Sequence, residues 1–425
     1  MSAMERVNAL LREVSLPRMV QVRQKFNRES LTQVEKAVRK ELDRPEIQGT
    51  IRPGMRVAVA AGSRGIRHYP EILRTVVDWV RSRGAQPFVF PAMGSHGGAS
   101  PEGQRDLLAG LGITEETVGA PIISSMEAVQ LGRTRRGVPV WFSRDAAGAQ
   151  ATILVNRLKP HTAFHGTVES GLTKMGVIGC GKQRGAESFH SLGMEEMASN
   201  LVEMGEVLQA ESNVAFGVAI LENAYDETFH VEAVLRQEFL RREPALLNMA
   251  KERFPRILFP ELDVLVVDRI GKDISGDGAD PNITGRFYAP GLQGRNAVQR
   301  IAYLDLTPAS HGNAIGLGVA DFTTRKLAEK LDLESIYMNT VTNCVLPPAK
   351  IPLIMDTEEL AIRAAVRTLL HTDRDHVRMV RIQDTLHLGE IWISEALLPQ
   401  AEAESCIEIL SAPEPMRFDE KGNLL

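Results

Sequence analysis

Between Met55 and His161 the chain three times runs a short apolar stretch into a polar loop, and this rhythm limits its fold more than any other feature. MRVAVAAGSRGI (Met55 to Ile66) reads as a buried strand that ends in a glycine-containing loop. Gln86 to Ala92 reads as a second strand, ending in Met93-Gly94-Ser95-His96-Gly97-Gly98, and ATILVNRLKPH (Ala151 to His161) is a third. Between the first two, Tyr69 to Arg83 places Ile72, Leu73, Val76, Val77 and Val80 at helical spacing, with Pro70 suited to a first turn. Ser100-Pro101 reads as an N-cap followed by proline at the first helical position. Strands alternating with helices imply βαβ units and a largely parallel sheet. In such sheets ligands gather at the carboxyl ends of strands, where the Gly62–Arg64 and Gly94–His96 loops would lie.

The chain has 425 residues, too many for one ordinary core, so two α/β domains with mainly parallel sheets flanked by helices are expected, at 1–258 and 259–425. The opening forty residues hold two charged, helix-like stretches around a short apolar segment, Val14 to Val20. Glu222 to Pro255 reads as helical and Leu262 to Val267 as a strand. Ile270 to Arg286 is a long Gly/Asp/Asn loop, of a length that is usually functional. Beyond it, IAYLDLTP and SIYMNTV read as strands around a helix at Phe322 to Leu331, and Glu358 to Leu370 as an amphipathic helix.

Apolar residues make up 44% of the chain and charged residues 24%, a globular profile. A net charge of −5 with neither sign dominating argues against a nucleic-acid or polybasic membrane surface. The N-terminal segment lacks the apolar core of a signal peptide. Cys180, Cys344 and Cys406 are odd in number and widely spaced, which suits a reduced compartment, so a cytoplasmic protein is expected.

The residues that could carry chemistry concentrate between Asn156 and His190. This segment holds His161, His165 and His190, and Lys159, Lys174 and Lys182, among many glycines. Neutral imidazoles can move protons near pH 7 or ligate a borderline metal, and a lysine with apolar neighbours can act as nucleophile or hold an anion. His96, at a strand end, has the placement of a site residue, and Arg64 could grip a carboxylate through two hydrogen bonds. Lys272 is a candidate anion clamp from the second domain, and Arg67, Arg157 and Lys159 favour a second anionic or polar group on the ligand. Gly179 to Lys182 is not a P-loop, the acids at Asp273, Asp277 and Asp280 do not fit an EF-hand, and no GxSxG or HExxH occurs. A metal-dependent hydrolase or lyase using His96, His161, His165 and His190 as zinc-type ligands remains open. So does a non-catalytic ligand-binding protein.

With these residues in place, the chain from about Arg52 onward resembles the lactate racemase family, nickel-pincer-nucleotide-dependent racemases and epimerases of 2-hydroxyacids. The resemblance implies that Arg64 in AGSRG binds the substrate carboxylate. It implies that Gly94-Ser95-His96, with Ser for the family's Thr, supplies one acid/base histidine and Pro160-His161 the second. Lys174 in SGLTKMG takes the place of the lysine that carries the cofactor as a thioamide adduct, and His190, sixteen positions later, that of the nickel ligand. Lys272 is the candidate for the family's substrate-contacting lysine. The interval from His161 to Lys174 is longer than the family's, which makes His165 the alternative second base. The run around Lys174 differs from the Gly-Gly-Arg-Lys type, which leaves covalent attachment or simple pairing to the cofactor. The resemblance further implies an isomerase with its site in a cleft between the domains, the C-terminal one closing over it. Loop groups such as Gly94 and Ser95 would contact the cofactor phosphate. The partners implied are a small 2-hydroxyacid and the proteins that build the cofactor.

Overall fold

The computed structural model describes residues 3–289, 291, 292, 294–343 and 345–425. The chain divides into two compact units, Asn27–Phe254 and a discontinuous one made of Met1–Phe26 with Pro255–Leu425. The N-terminal boundary thus differs from the expected 1–258. Helix α1 (Ala3–Arg12) and strand β1 (Met19–Gln24) belong with the C-terminal part because β1 finds its ladder partners there, pairing Val22 with Ile391 and with Ile409. The apolar segment expected at Val14–Val20 is therefore the approach to a strand whose Val20 and Val22 are buried.

In the Asn27–Phe254 unit, helix α2 (Val34–Leu42) precedes β2 (Arg56–Ala61), helix α3 (Tyr69–Ser82) and β3 (Gln86–Pro91). Helix α4 (Pro101–Gly110) follows, its N-cap Ser100 accepting the Gly103 amide. A two-stranded ribbon, β4 (Ala128–Arg133) and β5 (Pro139–Ser143), leads to β6 (Ala151–Arg157). After the segment to His190, which ends in helix α5 (Lys182–His190), come α6 (Met197–Glu211), β7 (Val214–Glu222), β8 (Thr228–Leu235) and α7 (Phe239–Arg253). The sheet order is β3-β2-β6-β7-β8, parallel except for the edge strand β8. Both faces are covered. Val57, Val59 and Ala61 of β2 face a core with α2 and α3, while Ala58 and Ala60 face a second core with Phe189, Leu201, Leu208 and Leu246. Burial on both sides is why these strands read as uninterrupted apolar runs.

β8 lies inside the tract expected to be wholly helical. Its alternating charges (His230, Glu232) lie on the half-exposed face of an edge strand, with Glu232 bonded to Arg242 of α7, so a polar strand resembled a helix surface.

The second unit continues with β9 (Glu261–Val267), β10 (Ala297–Tyr303), β11 (Phe322–Thr324), helix α8 (Leu333–Asn343), β12 (Leu353–Met355), helix α9 (Glu358–Arg367), β13 (Met379–Ile382), β14 (Glu390–Ser394) and β15 (Ile407–Ile409). Its sheet runs β12-β11-β10-β9-β13-β14-β1-β15, with the first five parallel. The stretch SIYMNTV is part of helix α8 rather than a strand: Ile336 and Thr340, four apart, are buried, whereas Tyr337 and Val341 are exposed. The helix expected at Phe322–Leu331 begins as strand β11 and becomes a short helix only at Arg325–Ala328, where the Thr324 hydroxyl caps it. The expected α/β class with mainly parallel, helix-flanked sheets is the one observed. Cys180 and Cys406 are free thiols, and Cys344 lies outside the described residues. Among the described residues no helix is long and apolar enough to cross a membrane.

Candidate active site

β2 connects to β3 on one side of it, while β6 lies on the other side and connects onward to β7. The chain therefore reverses its direction of travel across the sheet between β2 and β6, and open α/β sheets take ligands outside the carboxyl ends at such a point. Tyr69 ties the two ends together. Its buried hydroxyl accepts the Gly62 amide at 2.7 Å and donates to the Val155 carbonyl at 2.9 Å, and burial raises its pKa. Gly62 is hemmed in: a Cβ there would stand 3.2 Å from Met175 Cε and 3.5 Å from Asn156 Oδ1. Asn156 in turn donates to the Gly171 carbonyl at 2.8 Å. The loops after β2 and β6 and the Gly171–Gly179 segment thus meet at one place.

The loop after β3 joins them. Ser63 Oγ lies 2.5 Å from Nδ1 of His96, which sets the exposed Arg64 loop beside the exposed His96 loop. Gly94, at φ 61°, donates its amide to the Gly179 carbonyl, so that amide is engaged and does not offer itself to a phosphate. Behind the loop, Gln104 donates to the carbonyls of Gly94 and His96 at 2.8 and 3.2 Å. Lys182 supports Gln104, donating to its Oε1 at 3.2 Å and to the Pro91 carbonyl at 2.6 Å. Burial lowers this ammonium to about 8, and it raises the neighbouring Cys180 thiol to about 12, so Cys180 is no thiolate nucleophile near neutrality.

After β6 the chain folds around Glu169, whose side chain is wholly buried. Its carboxylate accepts the His161 amide at 2.7 Å, the Gly166 amide at 3.3 Å and the Lys251 ammonium at 2.6 Å, and lies 3.3 Å from His165 Nδ1. Burial alone would raise its pKa; the bonds from His165, Lys251 and the His161 amide outweigh that and lower it. The His161 ring stacks on Phe164 at 4.3 Å, Phe164 packs on Phe189, and Phe189 meets His190 edge-on at 5.2 Å. Burial first, then the charges of Lys174 and Lys159, hold His161 well below the usual histidine range. Burial and Lys174 hold His190 at about 4. Both imidazoles are therefore neutral at pH 7. His161 Nδ1 accepts the Ala163 amide at 3.0 Å, which assigns the proton of the neutral ring to Nε2.

Lys174 closes a short helical turn, Leu172–Lys174, that continues as the π-helical segment Met175–Gly179, a geometry frequent at functional sites. The turn is seated on Glu243 of α7, buried and raised to about 7 by that burial, which accepts both the amide and the hydroxyl of Thr173. His190 Nδ1 is buried and, among the described residues, has no hydrogen-bond partner. An orphaned neutral nitrogen beside a lysine is a fitting seat for a borderline metal held by one protein ligand, the rest of its ligands coming from an organic cofactor. Among the described residues no three His, Cys, Asp or Glu side chains converge as a metal site, so the zinc-type reading has no ligand set there.

The structure thus gathers Arg64, Ser95, His96, His161, His165, Lys174 and His190 in one unit. Lys272 belongs to the other, where its ammonium donates to the Gly276 carbonyl at 2.6 Å. Arg157 is paired with Glu222, so it is occupied inside the fold rather than held for a second ligand anion. Glu169, Lys251, Glu243 and Gln104 were not singled out from sequence. Only Glu169 carried a signal, four residues after His165; Gln104 meets Lys182 across 78 positions, and Glu243 and Lys251 reach Thr173 and Glu169 across 70 and 82 from a helix read as surface.

An open parallel sheet with these loops at its reversal point defines an α/β protein whose strand ends are furnished for a small ligand. Residues 6–201, from α1 into α6, match the lactate racemase N-terminal domain. Among solved structures it is similar to the lactate racemase apoprotein from Thermoanaerobacterium thermosaccharolyticum, with 11% identity, 81% of this chain and 85% of that chain covered, and a TM-score of 0.42. No curated protein matches the chain.

Proposed function

We propose that the chain is a racemase or epimerase of a 2-hydroxyacid that works with a nickel-pincer nucleotide. One observation carries the reading: Lys174 lies within electrostatic reach of both His161 and His190, both are held neutral, and a His190 nitrogen is buried with no hydrogen-bond partner among the described residues. His190 would ligate the nickel, and Lys174 would hold the cofactor, by a covalent bond or by pairing. Ser95 is the group of its loop left to contact the phosphate. When bound, the cofactor supplies a reversible hydride acceptor, which avoids ionising a Cα–H bond too weakly acidic for a side-chain base. The rest falls to this chain's own groups.

Arg64 would pin the substrate carboxylate while the planar keto acid presents its other face. Inversion needs proton-moving groups on both sides, and His96 and His161, from the ends of β3 and β6, supply them. His165 adds a further base. Its Nδ1 faces Glu169, which favours the proton there and leaves Nε2 to accept one, whereas neutral His161 presents a proton on Nε2.

The test is expression alongside cofactor-building enzymes, followed by intact mass, nickel analysis and racemisation assays on a panel of 2-hydroxyacids. Nickel, an added mass or a chromophore lost in His190→Ala and Lys174→Ala, and turnover of one acid are expected. Metal-free, colourless and inert protein would sink the proposal.

A further inference from the structure

The second unit has a reversal point of its own. β9 connects to β10 on one side, and β13 returns to its other side, so the carboxyl ends of β9 and β13 stand where an open α/β sheet takes a ligand. β9 leaves through Asp268-Arg269 and β13 through Gln383-Asp384. Two backbone bonds keep the exits side by side, from the Asp268 amide to the Ile382 carbonyl at 2.9 Å and from the Arg269 amide to the Gln383 carbonyl at 3.0 Å. The turn after β13 is pinned to the 270–286 loop, since Thr385 Oγ1 accepts the Asp280 amide at 3.1 Å.

At this point sits Asp384, its side chain wholly buried. Oδ1 accepts the amides of Leu386 and His387 at 3.0 and 3.1 Å and lies 2.6 Å from His387 Nδ1. Oδ2 accepts Arg269 Nε at 3.0 Å. Burial would raise its pKa, but the His387 ring, the Leu386 amide and Arg269 lower it, so it is a carboxylate at neutral pH. This one buried anion orients two side chains that reach solvent, Arg269 at 44% exposure and His387 at 59%. Arg269 is held by Nε alone, and His387 by Nδ1. Among the described residues, neither the two Nη groups nor Nε2 of His387 has a hydrogen-bond partner.

We propose that Arg269 and His387 form a binding site for a small oxyanion, the carboxylate or phosphate of a soluble compound, with Asp384 as the positioning residue. A guanidinium edge presents two parallel N–H donors matched to two oxygens of such a group, and the imidazole on the same carboxylate adds a third donor at Nε2 when the ring carries both protons. Asp384 offsets the positive charge of Arg269, so the site does not need a permanent anion to hold its shape. It lies wholly within one unit and stands whether or not the chain is a racemase.

The site can be read by NMR of the histidine rings in the full chain, titrated separately with inorganic phosphate and with malonate at constant ionic strength. Expected is a saturable shift of one ring, assigned to His387 by its loss in His387→Gln, and about tenfold weaker binding in Arg269→Met. Circular dichroism checks that both exposed-residue variants fold. The shift should survive in Lys174→Ala and His190→Ala, and the anion with the lower Kd names the ligand class. The proposal is overturned if neither anion saturates, if chloride gives the same shift, or if Arg269→Met binds as the unaltered chain does.

Discussion

The carboxylate of Glu243 accepts the amide of Thr173 at 2.7 Å and its hydroxyl at 2.5 Å, one residue before Lys174. This seat requires a glycine at 171, where a Cβ would stand 2.2 Å from Glu243 Oε2. Gly171→Ala should therefore destabilise the unit by about 1–3 kcal/mol in urea unfolding, because a buried helix cannot retreat without repacking. In the double variant with Glu243→Ala the collision is gone, so the two effects should be strongly non-additive. Additivity within about 0.5 kcal/mol would show that the carboxylate does not set the turn.

The two buried carboxylates beneath the site should pull stability in opposite directions with pH. Glu169 is lowered, so its contribution is fully present above the ordinary carboxylate value of 4.5 and is lost as pH falls through its folded value. Glu243 is raised to about 7, so it stabilises most below 4.5, and that contribution drains away between 4.5 and about 7. Urea unfolding from pH 4 to 8 should show Glu243→Gln flattening the loss between 4.5 and 7. Glu169→Gln should remove part of the fall at the acid end. Identical profiles in both variants would contradict the assignment.

Tyr69 is the strut between the ends of β2 and β6. Tyr69→Phe leaves the Gly62 amide and the Val155 carbonyl without this partner in a buried place, at a cost of about 1–3 kcal/mol by urea unfolding. Hydrogen exchange should speed up at Gly62 and spare the edge strand β8. Unchanged exchange at Gly62 would mean the strut bears no load.

The parallel sheet was legible because burial on both faces leaves β2, β3 and β6 almost free of charge, and their loops announced Arg64, His96 and His161. What sequence concealed was set by partners far along the chain. β1 takes its place from pairing with β14 and β15, more than 360 residues away, which no local pattern records. SIYMNTV has the β-branched and aromatic content of a strand, and only its burial at Ile336 and Thr340 shows the helical period. Glu243 and Lys251 lie in a charged helix that reads as surface. Their work, seating Thr173 and Glu169, becomes visible only when α7 packs under the site.

His161 and His165 should separate by protonation state. His161 holds Nδ1 against the Ala163 amide and is kept neutral by burial and by Lys174, so it has a proton to give on Nε2 across the whole neutral range. His165 has Glu169 behind Nδ1 and can take a proton on Nε2. In cofactor-loaded enzyme, His165→Gln should lower kcat about 10²–10⁴-fold only if that ring is a base. Glu169→Gln should then move the acid limb of the kcat/KM profile to lower pH, since the ring loses the carboxylate that favours its protonated form. If His165→Gln keeps full kcat and His161→Gln abolishes it, proton transfer on that face belongs to His161 alone. Ala163 would then have to release Nδ1 for the ring to act as a base. Lys174→Ala should raise the pKa of His161 toward the ordinary 6.5 in ring NMR, because a positive charge beside it is gone.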